Sequence, residues 1–168
     1  MSYTDHFRLV DDVSAHFDGA VAAVDPALKS RYTGFYAVTS AAVLELALKE
    51  IIIGFAQANN SLFGGYVASR YERINGRISL DDFHREHLKP FGEKYRIGFK
   101  NRLACIEQYF LLRKGISVKA SYLNLLTCRH TFAHEGTVPT TATYEEMKQG
   151  FEAGKIVMSC LSRALTYR

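Results

Sequence analysis

The chain is 168 residues long, 48% hydrophobic and carries a net charge of +4, which suits one domain with a buried core and excludes a disordered tail. Its longest apolar run, Val43 to Phe55, is interrupted by Glu45, Lys49 and Glu50 and is too short to cross a bilayer; the N-terminus has no basic stretch followed by an apolar one, so no secretion signal is expected and a cytoplasmic location without membrane attachment is. Three cysteines, Cys105, Cys128 and Cys160, show no CxxC spacing, which points to buried thiols in a reducing compartment rather than a disulfide framework or a zinc site.

Helical punctuation dominates in chain order. Phe7, Val10, Val13, Phe17, Ala20, Val21 and Val24 recur at mostly three- and four-residue steps, the mark of an amphipathic helix. Asp25-Pro26 ends it and opens the next, with Asp25 as N-cap and Pro26 at the first helical position. Ala27 to about Ala58 reads as one long helix, or two joined at Gly34. It is apolar almost all round from Tyr36 to Phe55, as a central buried helix must be. Asn59-Asn60-Ser61 breaks it. Leu62 to Ile74 is a weaker helix loosened by Gly64-Gly65, and Asn75-Gly76 is a turn. Ser79 caps a helix from Leu80, with Asp81 and Asp82 complementing its dipole, and Pro90 interrupts it. Phe91 to Lys114 resumes with Phe99, Leu103, Ile106, Phe110 and Leu111 on one face, and Gly115 stops it. Ser117 caps a helix from Val118 to His134, with Gly136 in the left-handed position beyond its end. After a loop at Pro139, Thr143-x-x-Glu146 is a capping box that opens a last helix, roughly Tyr144 to Tyr167. No alternating strand pattern and no internal repeat appears, so the fold class is an all-α bundle.

Charge is unevenly spread. Residues 1–66 hold four Lys/Arg against seven Asp/Glu, residues 67–119 twelve against six, and residues 120–168 five against four. A basic middle third attracts polyanions; taken alone, it is more simply a solvated helix surface with exposed pairs such as Glu93/Lys94.

The most informative stretch is Arg129-His130-Thr131-Phe132-Ala133-His134-Glu135-Gly136. It combines a permanent cation, able to grip a phosphate bidentately, with an imidazole whose ordinary pKa lies near ~6.5. These are the tools for cleaving RNA without a metal. The 2′-hydroxyl must lose a proton, the 5′-oxygen must gain one, and extra charge on the phosphoryl oxygens must be stabilised. Residues five apart on a helix differ by roughly 140° in azimuth and ~7.5 Å in rise. A second copy of the helix across a two-fold axis therefore assembles Arg129 and His134 better than one helix does, and a homodimer is the expectation.

Arg129 to His134 matches the R-x4-H motif of HEPN domains. Its Arg-His start and Ala-His finish, the preceding Tyr122-Leu-Asn-Leu-Leu-Thr-Cys and the capped final helix from Thr143 resemble the HEPN subgroup linked to RiboL-PSP domains. The long helix carrying Ser40 and Glu45 fits less specifically. The resemblance implies a single HEPN-like helical bundle over residues 1–168, with the motif helix at about 118–134. It also implies a metal-independent, cofactor-free endoribonuclease whose active cleft forms by dimerisation. Arg129 would bind phosphate, His134 would transfer protons, and His130 would orient the phosphate or the partner motif. A role in defence or toxin–antitoxin systems, with an antitoxin or defence protein as partner, follows from family habit. Gly136 stands where HEPN toxins silenced by nucleotide addition carry a tyrosine, so that control is not implied here. The alternative is a non-catalytic HEPN module that binds RNA, nucleotide or a partner protein, and a third reading is a purely structural dimerising bundle.

Several residues carry two readings each. His130 and His134 have the i, i+4 spacing of metal ligands, without the glutamate of H-E-x-x-H or an evident third ligand. Asp81 to His87, with His84 and His87, reads as a solvated charged face. His6 and His16 lie on the first helix with no partner in view. Glu45, inside an apolar helix, needs a partner, which is either Arg129 or Lys49 four residues on. Cys128 reads as a packed thiol. Asn124 lines the motif groove or faces water.

Overall fold

A computed structural model describes residues 2–21 and 25–166, and no strand occurs among them. A short 3-10 turn, Tyr3–His6, leads into α1, Phe7–Val21. Phe7 and Val10 are buried, with Val13 and Phe17 packed at the margin. Val24 lies outside the described residues, as do the side chains of Ala20 and Val21. Asp25 caps α2 by accepting from the Ala27 and Leu28 amides at 2.7 and 3.1 Å, which satisfies two of the amides that a helix start leaves open.

α2 runs unbroken over Pro26–Asn59, about 50 Å at 1.5 Å per residue. Gly34 does not divide it. A Cβ there would stand 2.2 Å from the Phe132 ring, so glycine allows the motif helix to approach closely. Asn60 ends α2 and caps α3, Ser61–Glu72, through a bond from the Phe63 amide at 3.0 Å.

The stretch after the 73–79 turn departs from expectation. α4 is only Leu80–Asp82; it continues as a π-helical turn, Phe83–Leu88, and a 3-10 turn, Lys89–Phe91, before Pro90 and Gly92 end it. Phe83, His87 and Leu88 are fully buried, so the segment read as a solvated charged face is instead folded into the core. The wider π turn brings residues four and five apart to the same side, and the charged residues between them point outward.

α5, Glu93–Lys114, buries Phe99 and Leu103 and part of Ile106 and Phe110, while Leu111 is exposed. α6, Val118–Glu135, begins where Ser117 Oγ accepts from the Ala120 amide at 3.0 Å and ends at Gly136, φ +69°. The capping box before α7, Tyr144–Thr166, is made: Glu146 Oε2 accepts from the Thr143 amide at 2.8 Å, and Thr143 Oγ1 accepts from the Glu146 amide at 3.2 Å.

α2, α6 and α7 pack on one another as the centre of the bundle, with α1 and α3 on α2 and α5 on α7. Leu44, Leu48, Ile52, Tyr122, Leu125, Met147, Phe151, Met158 and Leu161 fill the space between them. Cys128 and Cys160 are buried in that core, and burial pushes each thiol up to about 11. Cys105 is exposed. No described helix is long and apolar enough to cross a membrane.

Candidate active site

The motif sits on the last two turns of α6, and the helix sorts its residues by side. Val118, Tyr122, Leu125 and Cys128 are buried and fix the inner side. Arg129 lies next to that side and is half-buried; His130 and His134, roughly 100° and 140° further round, are exposed. Their rings stand 4.5 Å apart between centroids, tilted by 52°. Phe132 anchors the helix end by packing edge-on against Phe35 of α2 at 5.3 Å.

Arg129 reaches the 73–79 turn. A Cβ at Gly76 would stand 3.3 and 3.6 Å from its two Nη atoms and 3.9 Å from Cζ, so the guanidinium lies over the one residue of the turn that has no side chain. Gly76 is at φ +72°, a conformation glycine adopts without the strain other residues incur. Its amide donates to Glu45 Oε2 at 2.6 Å.

Glu45 settles its partner question in favour of Lys49. Lys49 Nζ lies 3.0 Å from Glu45 Oε1, and both side chains are largely buried. Lys49 also donates to Asn75 Oδ1 at 3.2 Å. The carboxylate therefore has a cation on one oxygen and a backbone amide on the other, which a charge shielded from water requires. Glu45 and Arg129 share the Gly76 turn, yet they form no ion pair within 4.0 Å. Among the described residues Arg129 has no carboxylate partner and no hydrogen bond.

The structure thus brings Glu45, Gly76 and Arg129 together at one end of α6, and His130 and His134 together on the exposed side of the same helix turns. It does not bring in Asn124, which is exposed and makes no hydrogen bond among the described residues. Ser40 is buried inside the bundle. His6, expected to lack a partner, bonds Glu50 at 2.7 Å on the far side of α2. No group of three or more His, Cys, Asp or Glu side chains is placed to share a metal ion among the described residues.

Sequence reasoning missed the turn beneath Arg129. Asn75-Gly76 signalled a turn, but nothing local said which side chain would lie on it. It also missed the outer seam of α6. Ala120, Leu123, Thr127, His130 and His134 follow one another at three- and four-residue steps and are all exposed, Leu123 by 59%. That spacing is a stripe along one side of a helix, and here it is left exposed among the described residues.

The family model described as RiboL-PSP-HEPN matches residues 4–167, and the chain belongs to that family. No curated protein and no solved structure matches it.

Proposed function

We propose that this member of the RiboL-PSP-HEPN family is a metal-independent endoribonuclease that works as a homodimer. One observation carries the reading: the last two turns of one helix hold a guanidinium without a carboxylate partner among the described residues and, on their exposed side, two paired imidazoles. Arginine left unpaired near the surface suits a phosphate, whose oxygens accept its N–H bonds in pairs.

The reaction is an internal displacement. One imidazole takes the proton of the ribose 2′-hydroxyl, and that oxygen attacks the adjacent phosphorus. The bond from phosphorus to the 5′-oxygen breaks, and a protonated imidazole gives its proton to the departing oxygen. The products are a 2′,3′-cyclic phosphate and a 5′-hydroxyl, with no water consumed. Arg129 stabilises the charge that builds on the phosphoryl oxygens, His134 transfers protons, and His130 orients the phosphate or the facing motif.

Dimerisation solves a geometric problem. Within one chain Arg129 faces the 73–79 turn while His134 faces outward. The uncovered α6 seam, with Leu123 at its middle, suits the same seam of a second copy across a two-fold axis, which would set each Arg129 near the other chain's His134. That separation within one chain is also what favours the second reading, a non-catalytic module that binds RNA, nucleotide or a partner protein. A defence or toxin–antitoxin setting and an antitoxin or defence partner rest on family habit.

RNA incubated in EDTA with wild type and with His134→Ala separates these readings. Cleavage by wild type alone, leaving cyclic phosphate ends, supports the nuclease. Binding without cleavage supports the module. Neither leaves a structural bundle, and full activity from a protein that sediments as a monomer contradicts the shared cleft.

A further inference from the structure

The 73–79 turn is held at four consecutive residues by side chains from three other parts of the fold. Lys49 of α2 donates to Asn75 Oδ1 at 3.2 Å, and Glu45 of α2 accepts from the Gly76 amide at 2.6 Å. His87 Nε2 bonds the Arg77 carbonyl at 2.7 Å, and the Tyr122 hydroxyl of α6 donates to the Ile78 carbonyl at 2.5 Å. A connecting turn of this kind ordinarily leaves its backbone groups to water. Here the Gly76 amide and the Arg77 and Ile78 carbonyls are taken by groups that are costly to bury, a carboxylate, a histidine and a tyrosine, while Lys49 holds the Asn75 side chain.

His87 is the least expected of these. It is fully buried. Because Nε2 faces a carbonyl oxygen it must donate, so in the neutral ring Nδ1 is the acceptor and takes the Tyr71 hydroxyl proton at 2.8 Å. Both nitrogens are thus committed, and among the described residues no metal-holding cluster includes the residue. An apolar side chain would fill the same space without the cost of desolvating an imidazole. What the imidazole adds is a directed bond to the turn. Over Gly76, the residue just before Arg77, lies the Arg129 guanidinium.

We propose that the 73–79 turn is a built seat for the Arg129 guanidinium and that His87, through the Arg77 carbonyl, is a positioning residue that sets it. The seat aims the arginine without neutralising it. Glu45 spends its charge on Lys49 and the Gly76 amide, so both Nη groups stay available to a phosphate. The consequence for cleavage rests on the nuclease reading; the seating does not.

The test reads Arg129 directly, through its side-chain Nε–Hε resonance in a 15N-labelled full-length protein, identified by its loss in Arg129→Lys. His87→Leu is expected to shift or broaden that resonance, and His87→Gln, which returns an N–H donor near the Nε2 position, to restore it. Gly76→Ala is expected to displace it as well, since the added methyl meets the guanidinium; this change lies outside the core and decides the matter if His87→Leu does not fold. Where the wild type cleaves RNA, kcat should fall about tenfold or more in His87→Leu and Gly76→Ala and return in His87→Gln. Folded variants whose Arg129 resonance stays at the wild-type position overturn the seat. A wild type that never cleaves RNA removes the nuclease reading and leaves the resonance comparison standing.

Discussion

The two sides of α6 are maintained by different means. The inner side, with Tyr122, Leu125 and Cys128, is surrounded by α2, α5 and α7 and leaves no surface in contact with water. The outer side, with Leu123, Thr127, His130 and His134, is exposed among the described residues, a leucine included. Arg129 stands at the border, supported from below by the Gly76 turn. An inner side of this kind sets where the helix lies; an exposed outer side is free to serve chemistry or a second subunit.

Substitutions on the two sides should therefore separate activity from stability. The largest effect is expected for His134→Ala, which removes the proposed proton carrier and on that proposal should lower RNA cleavage by about 10²–10⁴-fold. Because the residue is exposed, the thermal midpoint should move by no more than about 1–2 °C. Leu125→Ala should do the reverse, lowering stability by about 2–5 kcal/mol in denaturant unfolding, while the protein that remains folded keeps its rate. A His134→Ala protein that melts well below wild type would break the distinction.

How much of this was legible in the sequence follows the same division. The inner side was readable because Tyr122, Leu125 and Cys128 keep a helical period, and because Ser117 and Gly136 have side-chain and backbone reasons to stand at the two ends. The Arg129–His134 motif was readable as the mark of a family, which the match over residues 4–167 shows; its residues alone also suit the dipole of a helix C-terminus. Glu45 offered two partners, and the local one was made, as the i, i+4 spacing allowed. The Asp81–His87 stretch misled because its composition is charged while its burial follows a π turn, a period that an amphipathic template does not look for. The seat beneath Arg129 was hidden for a different reason. It joins α2, the 73–79 turn, the π turn and α6 through single hydrogen bonds between residues far apart in the chain, and no local pattern encodes such a meeting.

A smaller effect tests whether the outer side is a subunit interface. Leu123→Glu places a charge at the middle of the uncovered seam, next to its own copy if two α6 helices pack there. Dimer affinity by sedimentation should weaken by at least about tenfold, and cleavage should fall with it although Arg129 and His134 are untouched. Mixing Arg129→Ala with His134→Ala protein should restore part of the activity, because one of the two composite sites regains an intact pair. Unchanged sedimentation and unchanged cleavage in Leu123→Glu would leave α6 without a partner on that side.

The smallest expected effect concerns pH. Burial lowers the His87 pKa from the ordinary histidine value against smaller opposing influences from the Arg77 carbonyl, Asp82 and Glu86, and Arg70 lowers it further; burial followed by Arg96, Lys100 and Lys119 lowers His84, despite Asp81. Both are thus neutral in the folded protein at a pH where the unfolded chain has begun to bind protons. The unfolded state holds the extra proton, so stability rises with pH across this range. It is fully present above about pH 6.5 and declines as pH falls below that, by at most about 1.4 kcal/mol per pH unit for each group. His87→Gln, which cannot titrate, should flatten the fall in thermal midpoint between roughly pH 7 and pH 5, and His84→Gln should flatten it less because that residue is only partly buried. If His87 is protonated before the fold opens, its bond to Tyr71 must be reorganised while the bond to Arg77 survives, since Nε2 still donates. The Arg129 resonance should then hold its position until the protein unfolds, which makes the seat more resistant to acid than the core around it.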